Sequence, residues 1–412
     1  MRSNYKKLGQ FIQQVSVKNT DLEVDNLLGV SITKKFIPSI ANTIGTDMSK
    51  YKVVKKNQFT YGSITSRNGD KISVALLEDD EAIVSTSYAV FEVIKQDELL
   101  PEYLMMWFRR EEFDRYARYM SHGSTREAFG WDEMCDVELP VPSIEKQKEI
   151  VKEYHTITDR IKLNEQLNQK LEDTAQSIYK EWFVNFEFPD ENGKPYKSNG
   201  SEMVYCDELN MEIPKEWDVQ NLVDLSTIKS GKRLPKGEVL SEKKTSFPYI
   251  KIANLGSSKF VVLNESFEYL DENVQCQISR YIVSTDDLII SVVGTIGVVR
   301  IIDESLDGAN LTENCIKVIE LENISIDYLY YYLYSTMGRN EIENKTVGGV
   351  QGKLPIYNIE TLKILCPNKN TMKEFNNLIK AINHSQKGYL LESINLLQMK
   401  EILLSKMATI EG

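Results

Sequence analysis

The stretch Leu100-Pro101-Glu102-Tyr103-Leu104 is matched 225 positions later by Ser325-Ile326-Asp327-Tyr328-Leu329. The same offset, without a gap, relates Leu139-Pro140-Val141-Pro142 to Ile364-Leu365-Cys366-Pro367. A repeat of this length is far longer than the units of about 20–50 residues that build solenoids. The pattern therefore indicates a duplicated unit, with one fold occurring twice in the chain.

Short strands are predicted upstream of this stretch, where the match between the two halves needs small gaps. Asn57-Gln58-Phe59-Thr60-Tyr61 corresponds to Asp287-Leu288-Ile289-Ile290-Ser291, and Ser85-Thr86-Ser87-Tyr88-Ala89-Val90 corresponds to Leu311-Thr312-Glu313-Asn314-Cys315-Ile316. Runs of β-branched and aromatic residues that are bounded by turn residues are typical of strands. Each half is therefore expected to begin as a mixed, strand-rich domain.

Two predicted helices complete each half. The first is short, over 101–119 and again over 327–342, and its aromatic residues are expected to lie in the core. The second is a pattern of apolar residues over about 36–40 residues, or about 55–60 Å at 1.5 Å per residue. The apolar positions are Ile150, Tyr154, Ile157, Ile161, Leu171, Ala175, Ile178 and Trp182 in the first long helix, and Phe375, Ile379, Ile382, Tyr389, Leu396, Leu403 and Met407 in the second.

The two long helices are predicted to pack on each other as a coiled coil, because both carry an apolar seam of heptad spacing. Polar residues interrupt the seams at Asn164 and Asn168 in one helix and at Gln386, Ser393 and Lys400 in the other. Such residues would fix the register at some cost in stability. The alternative is that each helix docks separately on its own domain.

The connector between the halves is rich in Pro, Gly and charged residues, which predicts a linker or extended arm. Five segments are expected in all. They are a first domain over 1–142, a long spacer helix over 143–187, the linker or arm over 188–216, a second domain over 217–367 and a long C-terminal helix over 368–412.

The composition is that of a globular protein with several domains. The chain has 412 residues, 42% hydrophobic and 27% charged, and a formal net charge of −12. An acidic total argues against a protein that coats nucleic acid indiscriminately, but it leaves room for a local basic groove. The five cysteines are scattered without a C-x-x-C pair, and no apolar run has the length of a membrane span. We therefore expect a cytoplasmic protein without membrane contact.

The usual motifs of catalysis are absent from the sequence. It contains no G-x-x-x-x-G-K-[ST] loop, no G-x-G-x-x-G fingerprint and no H-E-x-x-H pair, and it has only three histidines. The Asn/Asp-Pro-Pro-aromatic tetrapeptide of amino-methyltransferases is also missing. The triplet Glu242-Lys243-Lys244 has the spacing of a nuclease signature, but such triplets arise by chance. We predict a binding protein without catalytic, metal-binding or cofactor-binding residues.

Basic and polar residues are concentrated in a few Gly-rich loops, most densely at 229–237, and two such loops, 123–126 and 348–351, recur at the same place in both halves. Lys and Arg suit phosphates, whereas Arg, Asn, Gln, Ser and Thr can read base edges. The alternative for each loop is an ordinary solvated turn. The candidate DNA-binding residues are Lys34, Lys35, Thr65, Arg67, Ser124, Thr125, Arg126, Lys229, Lys232, Arg233, Lys236, Asn254, Lys259, Gln351 and Lys353.

The connector and the ends of the two domains resemble those of a known family. Residues 188–200 (FPDENGKPYKSNG) and 213–217 (IPKEW), together with the proline-containing ends at 139–142 and 365–367, are similar to specificity subunits of type I restriction-modification systems. One difference is that the second half begins at Trp217, as is usual for the family, whereas the first half begins with Tyr5-Lys6-Lys7-Leu8-Gly9.

This resemblance implies an α+β fold with two similar, mixed β-rich target-recognition domains. They would be separated by two long helices that form an antiparallel coiled coil, with an internal pseudo-two-fold repeat. Each domain would read one half of a bipartite, asymmetric site in double-stranded DNA, and the helices would set the spacer between the halves. The chain itself would be non-catalytic.

The resemblance also implies partners. Two modification subunits would dock on the helices, carry S-adenosylmethionine and methylate adenine. Restriction subunits would add a translocase and nuclease that use ATP and Mg, giving a defence system against phage. Two other functions remain open from the sequence: a stand-alone DNA methyltransferase or nuclease, and a coiled-coil scaffold with two protein-binding domains.

Overall fold

The computed structural model describes residues 5–39, 45–66, 68–69, 71–122, 127–349 and 352–409. The chain divides into two compact units, one of residues 1–162 with 395–412 and the other of residues 163–394. The division falls inside both long helices. In the described part of the chain, no helix combines the length and the apolar character needed to cross a membrane.

The first unit is built from strands followed by helices. Its strands are β1 (Tyr5–Lys7), β2 (Ile12–Val15), β3 (Val17–Lys18), β4 (Leu28–Val30), β5 (Phe36–Pro38), β6 (Lys52–Lys55), β7 (Gln58–Gly62), β8 (Val74–Leu76), β9 (Glu81–Val84), β10 (Tyr88–Val93) and β11 (Glu138–Pro140). Its helices are α1 (Pro101–Phe108), α2 (Glu111–Met120), α3 (Trp131–Cys135) and the first part of α4 (Ile144–Tyr179). The central antiparallel sheet has the order β2-β10-β7-β8, and β3-β6-β9 form a second sheet.

The second unit has the same plan with additional strands. Its strands are β12 (Met203–Cys206), β13 (Met211–Pro214), β14 (Asp218–Asn221), β15 (Thr227–Ser230), β16 (Pro248–Ile250), β17 (Phe260–Val261), β18 (Glu268–Tyr269), β19 (Leu288–Ser291), β20 (Val299–Ile302), β21 (Asn310–Leu311), β22 (Cys315–Ile319) and β23 (Lys363–Cys366). Its further helices are α5 (Leu222–Leu225), α6 (Glu272–Gln277), α7 (Ile326–Tyr334), α8 (Thr336–Lys345), α9 (Ile356–Glu360) and α10 (Lys369–Lys406). The central sheet has the order β15-β22-β19-β20-β17, and β18-β16-β21 form a smaller sheet.

The repeat predicted from the sequence is confirmed in the fold. Helices α1, α2, α3 and α4 and strand β11 each begin 225 residues before α7, α8, α9, α10 and β23. The gapped upstream match also agrees with the sheet register. It relates Thr60 to Ile290 and Val90 to Ile316, and the structure places Thr60 opposite Val90 and Ile290 opposite Ile316. The predicted α+β class and duplicated domains are therefore correct.

The short helix predicted in each half is wrong in one respect, because the structure has two helices there. In the second half the chain leaves the helical conformation at Ser335, whose backbone is extended (φ −66°, ψ 163°). The Ser335 hydroxyl accepts a hydrogen bond from the backbone N–H of Gly338, as expected of an N-cap residue. Arg110 is extended in the same way at the corresponding break in the first half.

Gly338 permits the close approach of α7 and α8. A Cβ at this position would lie 2.2 Å from the carbonyl oxygen of Tyr332 and 2.7 Å from the Cα of Leu333. We expect Gly338→Ala to lower the free energy of unfolding by about 1–3 kcal/mol, because the helices must move apart. Urea denaturation measures this. Gly388→Ala is the control: it adds a methyl group to open space within α10 and should raise stability by about 0.5–1 kcal/mol. A fall in stability for both variants would contradict this account.

The long helices pack antiparallel within the second unit. The Asn164 side-chain amide donates to Glu392 Oε2 at 2.9 Å, and the Gln386 amide donates to Glu172 Oε2 at 3.1 Å. From Asn164 to Glu172 the chain advances along α4, whereas their partners go back along α10 from Glu392 to Gln386. The two helices therefore run in opposite directions. The polar residues predicted to interrupt the seams include Asn164 and Gln386, which therefore pair with the facing helix.

Each helix also contributes to the core of a domain. In the second unit the Phe183 ring, just after α4, lies 4.9 Å from the Phe375 ring of α10 and 4.8 Å from the Tyr328 ring of α7. In the first unit Tyr154 of α4 and Leu404 of α10 belong to the core of that domain. The long helices thus pack on each other and also dock on the domains, so the two alternatives considered from the sequence occur together.

The connector is more ordered than its composition indicates. The Phe188 ring stacks on Tyr196 at 4.6 Å and on Trp217 at 4.9 Å. Strands β12 and β13 then form an antiparallel hairpin. Where a linker or extended arm was expected, the structure has a folded segment whose aromatic rings belong to the core of the second unit.

Candidate nucleic-acid interface

The same two loops meet in each unit. One loop follows the central strand β7 or β19, and the other precedes α3 or α9. The backbone N–H of Phe129 donates to the carbonyl of Ser63 at 2.8 Å, and that of Leu354 donates to the carbonyl of Val292 at 3.0 Å. Phe129 and Leu354 are again 225 positions apart, so the fold builds this loop pair twice. Candidate residues of these loops that lie outside the described residues are Arg67, Ser124, Thr125, Arg126 and Gln351.

The segment 229–237 of the second unit, called the loop 229–237 although its first two residues end strand β15, has a fixed backbone. A Cβ on Gly231 would lie 2.0 Å from the carbonyl oxygen of Thr312, so only glycine fits there. The backbone N–H of Lys232 donates to the carbonyl of Leu311 at 2.8 Å, and the Tyr249 hydroxyl donates to the carbonyl of Lys232, also at 2.8 Å. The loop is therefore anchored by its backbone while its charged side chains stay in solvent.

The charges of this loop are accessible. Lys229, Lys232 and Lys236 are exposed, and they form no ion pair with the residues that the structure describes. Arg233 is also exposed, but its Nε donates to Glu313 Oε1 at 2.6 Å. Burial opposes ionisation of Glu313, yet the hydrogen bonds from Arg233, Thr312 and the backbone hold its pKa below the ordinary value. The three lysines are thus the better candidates for contacts with phosphates.

Two further candidates, Lys35 and Lys353, are exposed. Lys353 lies in the loop before α9, where its backbone N–H and carbonyl both bond to Val347. This places the Lys353 side chain on the repeated loop pair of the second unit. Lys35 follows Lys34 in the turn between β4 and β5, and its carbonyl accepts from the backbone N–H of Ser31.

Lys34 is placed inside the protein, where its ammonium group has two partners. The Nζ atom lies 2.6 Å from Asp114 Oδ1 and 2.6 Å from the carbonyl oxygen of Phe108. Burial lowers the pKa of Lys34, and the carboxylate of Asp114 opposes that shift. Because this cation is already paired and only 5% exposed, we leave it out of the proposed interface.

Thr65, Asn254 and Lys259 are also buried and engaged within the fold. The Thr65 hydroxyl donates to Ser121 Oγ at 2.9 Å. The Asn254 side chain accepts from the backbone N–H of Lys251 at 2.9 Å and so closes a turn. Lys259 Nζ lies 2.7 Å from Asp327 Oδ1. The structure gives these three residues structural partners, and we place none of them on the interface.

The structure adds three basic residues to the candidates that were predicted from the sequence. Lys243, Lys244 and Arg280 are exposed on the part of the second unit formed by β16, β18, β21 and α6. Phe247 and Tyr281, their near neighbours in sequence, pack on one small core there together with Leu234. Arg280 is far from the lysines in sequence, so only the tertiary fold could associate it with the loop 229–237.

A metal site is not found in the described part of the chain, where no three or more His, Cys, Asp or Glu side chains are grouped to hold an ion. What the loops offer is a set of exposed cations on anchored backbones. Such an arrangement can bind phosphates and present side chains to base edges.

The comparisons with known proteins agree with this description. A family model described as "Type I restriction modification DNA specificity domain" matches residues 10–173 and again residues 214–389. The type I restriction enzyme MjaIX specificity subunit of Methanocaldococcus jannaschii is 26% identical over 324 residues, which cover 76% of this chain and 70% of that protein. The type I restriction enzyme HindI specificity subunit of Haemophilus influenzae is 23% identical and covers 92% of both chains.

A solved structure is similar over nearly the whole chain. The S subunit of a type I restriction-modification system from M. genitalium superposes with a TM-score of 0.56 at 15% identity, covering 99% of this chain and 96% of the other. The likeness concerns the fold. Together with the two matches of the family model, which cover most of the sequence, it leads to one conclusion: the chain belongs to the family of type I restriction-modification DNA specificity subunits.

Proposed function

We propose that this chain is the non-catalytic DNA-recognition subunit of a type I restriction-modification complex, and that each domain reads one half of a bipartite site. The observation that carries the proposal is the repeated loop pair, closed in both units by equivalent backbone hydrogen bonds. Two copies of one recognition surface on a single chain suit two half-sites on one duplex. Covalent linkage also raises the effective concentration of the second domain once the first has bound.

The proposed site is asymmetric because the two domains differ in detail. The second unit has the basic loop 229–237 and the additional parallel strand β17, whereas the first has the sheet β3-β6-β9. Base readout depends on the loops rather than on the shared framework. Two domains with the same framework and different loops should therefore recognise two different half-sites.

The cofactors of the complex would be supplied by partners. In this proposal two modification subunits dock on the long helices and bring S-adenosylmethionine for adenine methylation. Restriction subunits bring ATP and Mg for translocation and cleavage, and the whole complex works in the cytoplasm. The long helices would fix the number of unspecified base pairs between the half-sites.

An exposed apolar pair on α10 supports docking of a partner. Met399 and Ile402 are three residues apart, so they share one side of the helix, and they are 53% and 52% exposed. We expect Met399→Glu with Ile402→Glu to weaken assembly with a modification subunit about a hundredfold. Full burial of such a side chain contributes about 1.5–3 kcal/mol, and about half of each remains to be buried, so the pair contributes about 1.5–3 kcal/mol in all. Co-purification and light scattering measure assembly.

The control is Leu397→Glu, which introduces one negative charge on another side of α10, half of what the double variant introduces. Leu397 is 43% exposed, and its position two residues before Met399 turns it away from that pair. This variant should assemble normally. Equal loss in both cases would mean that negative charge on the helix, rather than the apolar pair, is responsible.

The test of the proposed function is a selection from a library of duplex oligonucleotides. The chain is assembled with its modification subunits, and bound or methylated duplexes are sequenced. We expect a bipartite motif with one spacer length. Failure to enrich any bipartite motif would favour a coiled-coil scaffold, and methyl transfer or DNA cleavage by the isolated chain would favour a stand-alone enzyme.

A further inference from the structure

A buried lysine joins the second domain to the long helices. Lys259 lies just before the edge strand β17 and is 4% exposed. Its Nζ atom is 2.7 Å from Asp327 Oδ1 of α7, 2.8 Å from Asn383 Oδ1 of α10 and 3.2 Å from the Tyr331 hydroxyl. One ammonium group thus holds a strand and a helix of the domain against a spacer helix.

The contacts continue to the other long helix. The Asn383 amide also donates to Asp327 Oδ1 at 2.8 Å. The Tyr331 hydroxyl donates to Glu172 Oε2 of α4 at 3.4 Å, and the same carboxylate accepts from Gln386 of α10. The buried network therefore runs from β17 through α7 to both long helices, all within the second unit.

A second lysine, Lys387 of α10, contacts the same edge of the domain. Lys387 Nζ lies 3.6 Å from Asp286 Oδ1 and 3.8 Å from Asp303 Oδ2. It also lies 4.7 Å from the centre of the Phe260 ring of β17, within the range of a cation–π contact. Lys259, from the domain, contacts α10, and Lys387, from α10, contacts β17. The two lysines together hold β17 on α10.

The first unit lacks this network in its described residues. The positions that correspond to Asp327 and Tyr331 are Glu102 and Met106, and that of Asn383 is Thr158. In the first unit Arg109 instead donates to the Tyr154 hydroxyl of α4 at 3.0 Å. The two domains are thus attached to the helices by different side chains.

We propose that Lys259 is a positioning residue that fixes the second domain on the helix pair and so determines which spacer length the complex accepts. The inference rests on the proposed function. One base pair more or less in the spacer moves a half-site by about 3.4 Å along the duplex and by about 34–36° around it. A domain held in one orientation cannot follow such a displacement, whereas a loosened domain can.

The chemistry of the network fits a role in orientation. A buried ion pair contributes little net stability, because desolvation of the charges offsets their attraction. It requires specific geometry, however, since each partner must meet the others at hydrogen-bond distance. An apolar side chain of similar length would fill the space without imposing that geometry, at a cost in stability because Asp327 loses its cation.

The experiment compares Lys259→Met with the unmodified chain in the assembled methyltransferase complex. The probe is a duplex library with both half-sites randomised and with spacers of varied length, and the readout is sequencing of the bound duplexes. We expect Lys259→Met to keep both half-site sequences and to lose about tenfold in preference for one spacer over those one base pair longer or shorter.

Lys317→Met is the matched control. It removes the same charge and breaks a largely buried ion pair of 2.8 Å between Lys317 of β22 and Asp287, the residue just before β19. Its spacer preference should equal that of the unmodified chain. Should Lys259→Met fail to fold, Asn383→Ala removes one partner of the network and should reduce the preference about threefold.

The outcomes separate the inference from the proposed function. An unchanged spacer distribution in folded Lys259→Met or Asn383→Ala would overturn the positioning role and leave bipartite recognition intact. The same broadening in Lys317→Met would also overturn it, because general destabilisation would then be the cause. If the unmodified complex enriches no bipartite motif, the proposed function fails and the inference fails with it.

Discussion

Replacing Lys229, Lys232 and Lys236 together by alanine is expected to weaken DNA binding by the assembled complex about a hundredfold at physiological salt. The slope of log K against log salt concentration should fall by about 2–3, because each lost phosphate contact reduces it by about 0.9. The three side chains are exposed, and no ion pair within the described residues competes for them. Their backbone is anchored, so the substitutions should leave the fold intact.

Fluorescence anisotropy over a series of salt concentrations measures both quantities. The charge-matched control replaces Lys194 and Lys197 of the connector together with Lys180 just after α4; these lysines are likewise exposed and form no ion pair with the described residues. That variant has the same net charge but should keep the original salt slope. If the slope is unchanged in the loop variant as well, the loop 229–237 is an ordinary solvated surface and the interface lies elsewhere.

Arg233 is deliberately kept in the loop variant. Its ion pair with Glu313 means that Arg233→Ala has two effects, the loss of a cation and the exposure of an uncompensated carboxylate. Both effects disfavour DNA, so a weakened complex could not be assigned to a lost phosphate contact. The lysines give the cleaner measurement because they carry no such partner within the described residues.

The duplicated framework could be predicted from the sequence because it depends on local patterns. Apolar residues at helical spacing locate α4 and α10, and the gapless offset of 225 residues relates α1 to α7 and β11 to β23. The breaks at Arg110 and Ser335 were missed, since neither residue interrupts the apolar pattern strongly enough to end a helix.

The candidate site was only partly predictable, because burial of a polar side chain is decided by residues far away in sequence. Lys34 and Lys259 occur in polar stretches that are typical of exposed turns. Their partners Asp114 and Asp327 are 80 and 68 residues further along the chain. Nothing local distinguishes these lysines from Lys232, which stays exposed. Only the tertiary fold separates lysines that can reach DNA from those that hold the protein together.

Exchanging the first unit for that of another family member should replace one half-site completely and leave the other half-site and the spacer unchanged. The structure indicates where to cut. Leu404 and Met407 of α10 are buried in the core of the first unit, and the Tyr5 hydroxyl donates to the carbonyl of Ala408 at 2.9 Å. Residues 1–162 should therefore be exchanged together with 395–409, so that this core remains matched.

A chimera that exchanges only residues 1–142 is the informative comparison. It brings a foreign domain against the original Leu404 and Met407, and the mismatched packing should lower the free energy of unfolding by about 1–3 kcal/mol relative to the matched exchange. Its half-sites should nevertheless be the same as those of the matched chimera, because the recognition loops are the same. Library selection and thermal unfolding measure the two properties separately. A change of both half-sites in either chimera would contradict the assignment of one half-site to each domain. Recognition would then arise from the two domains jointly.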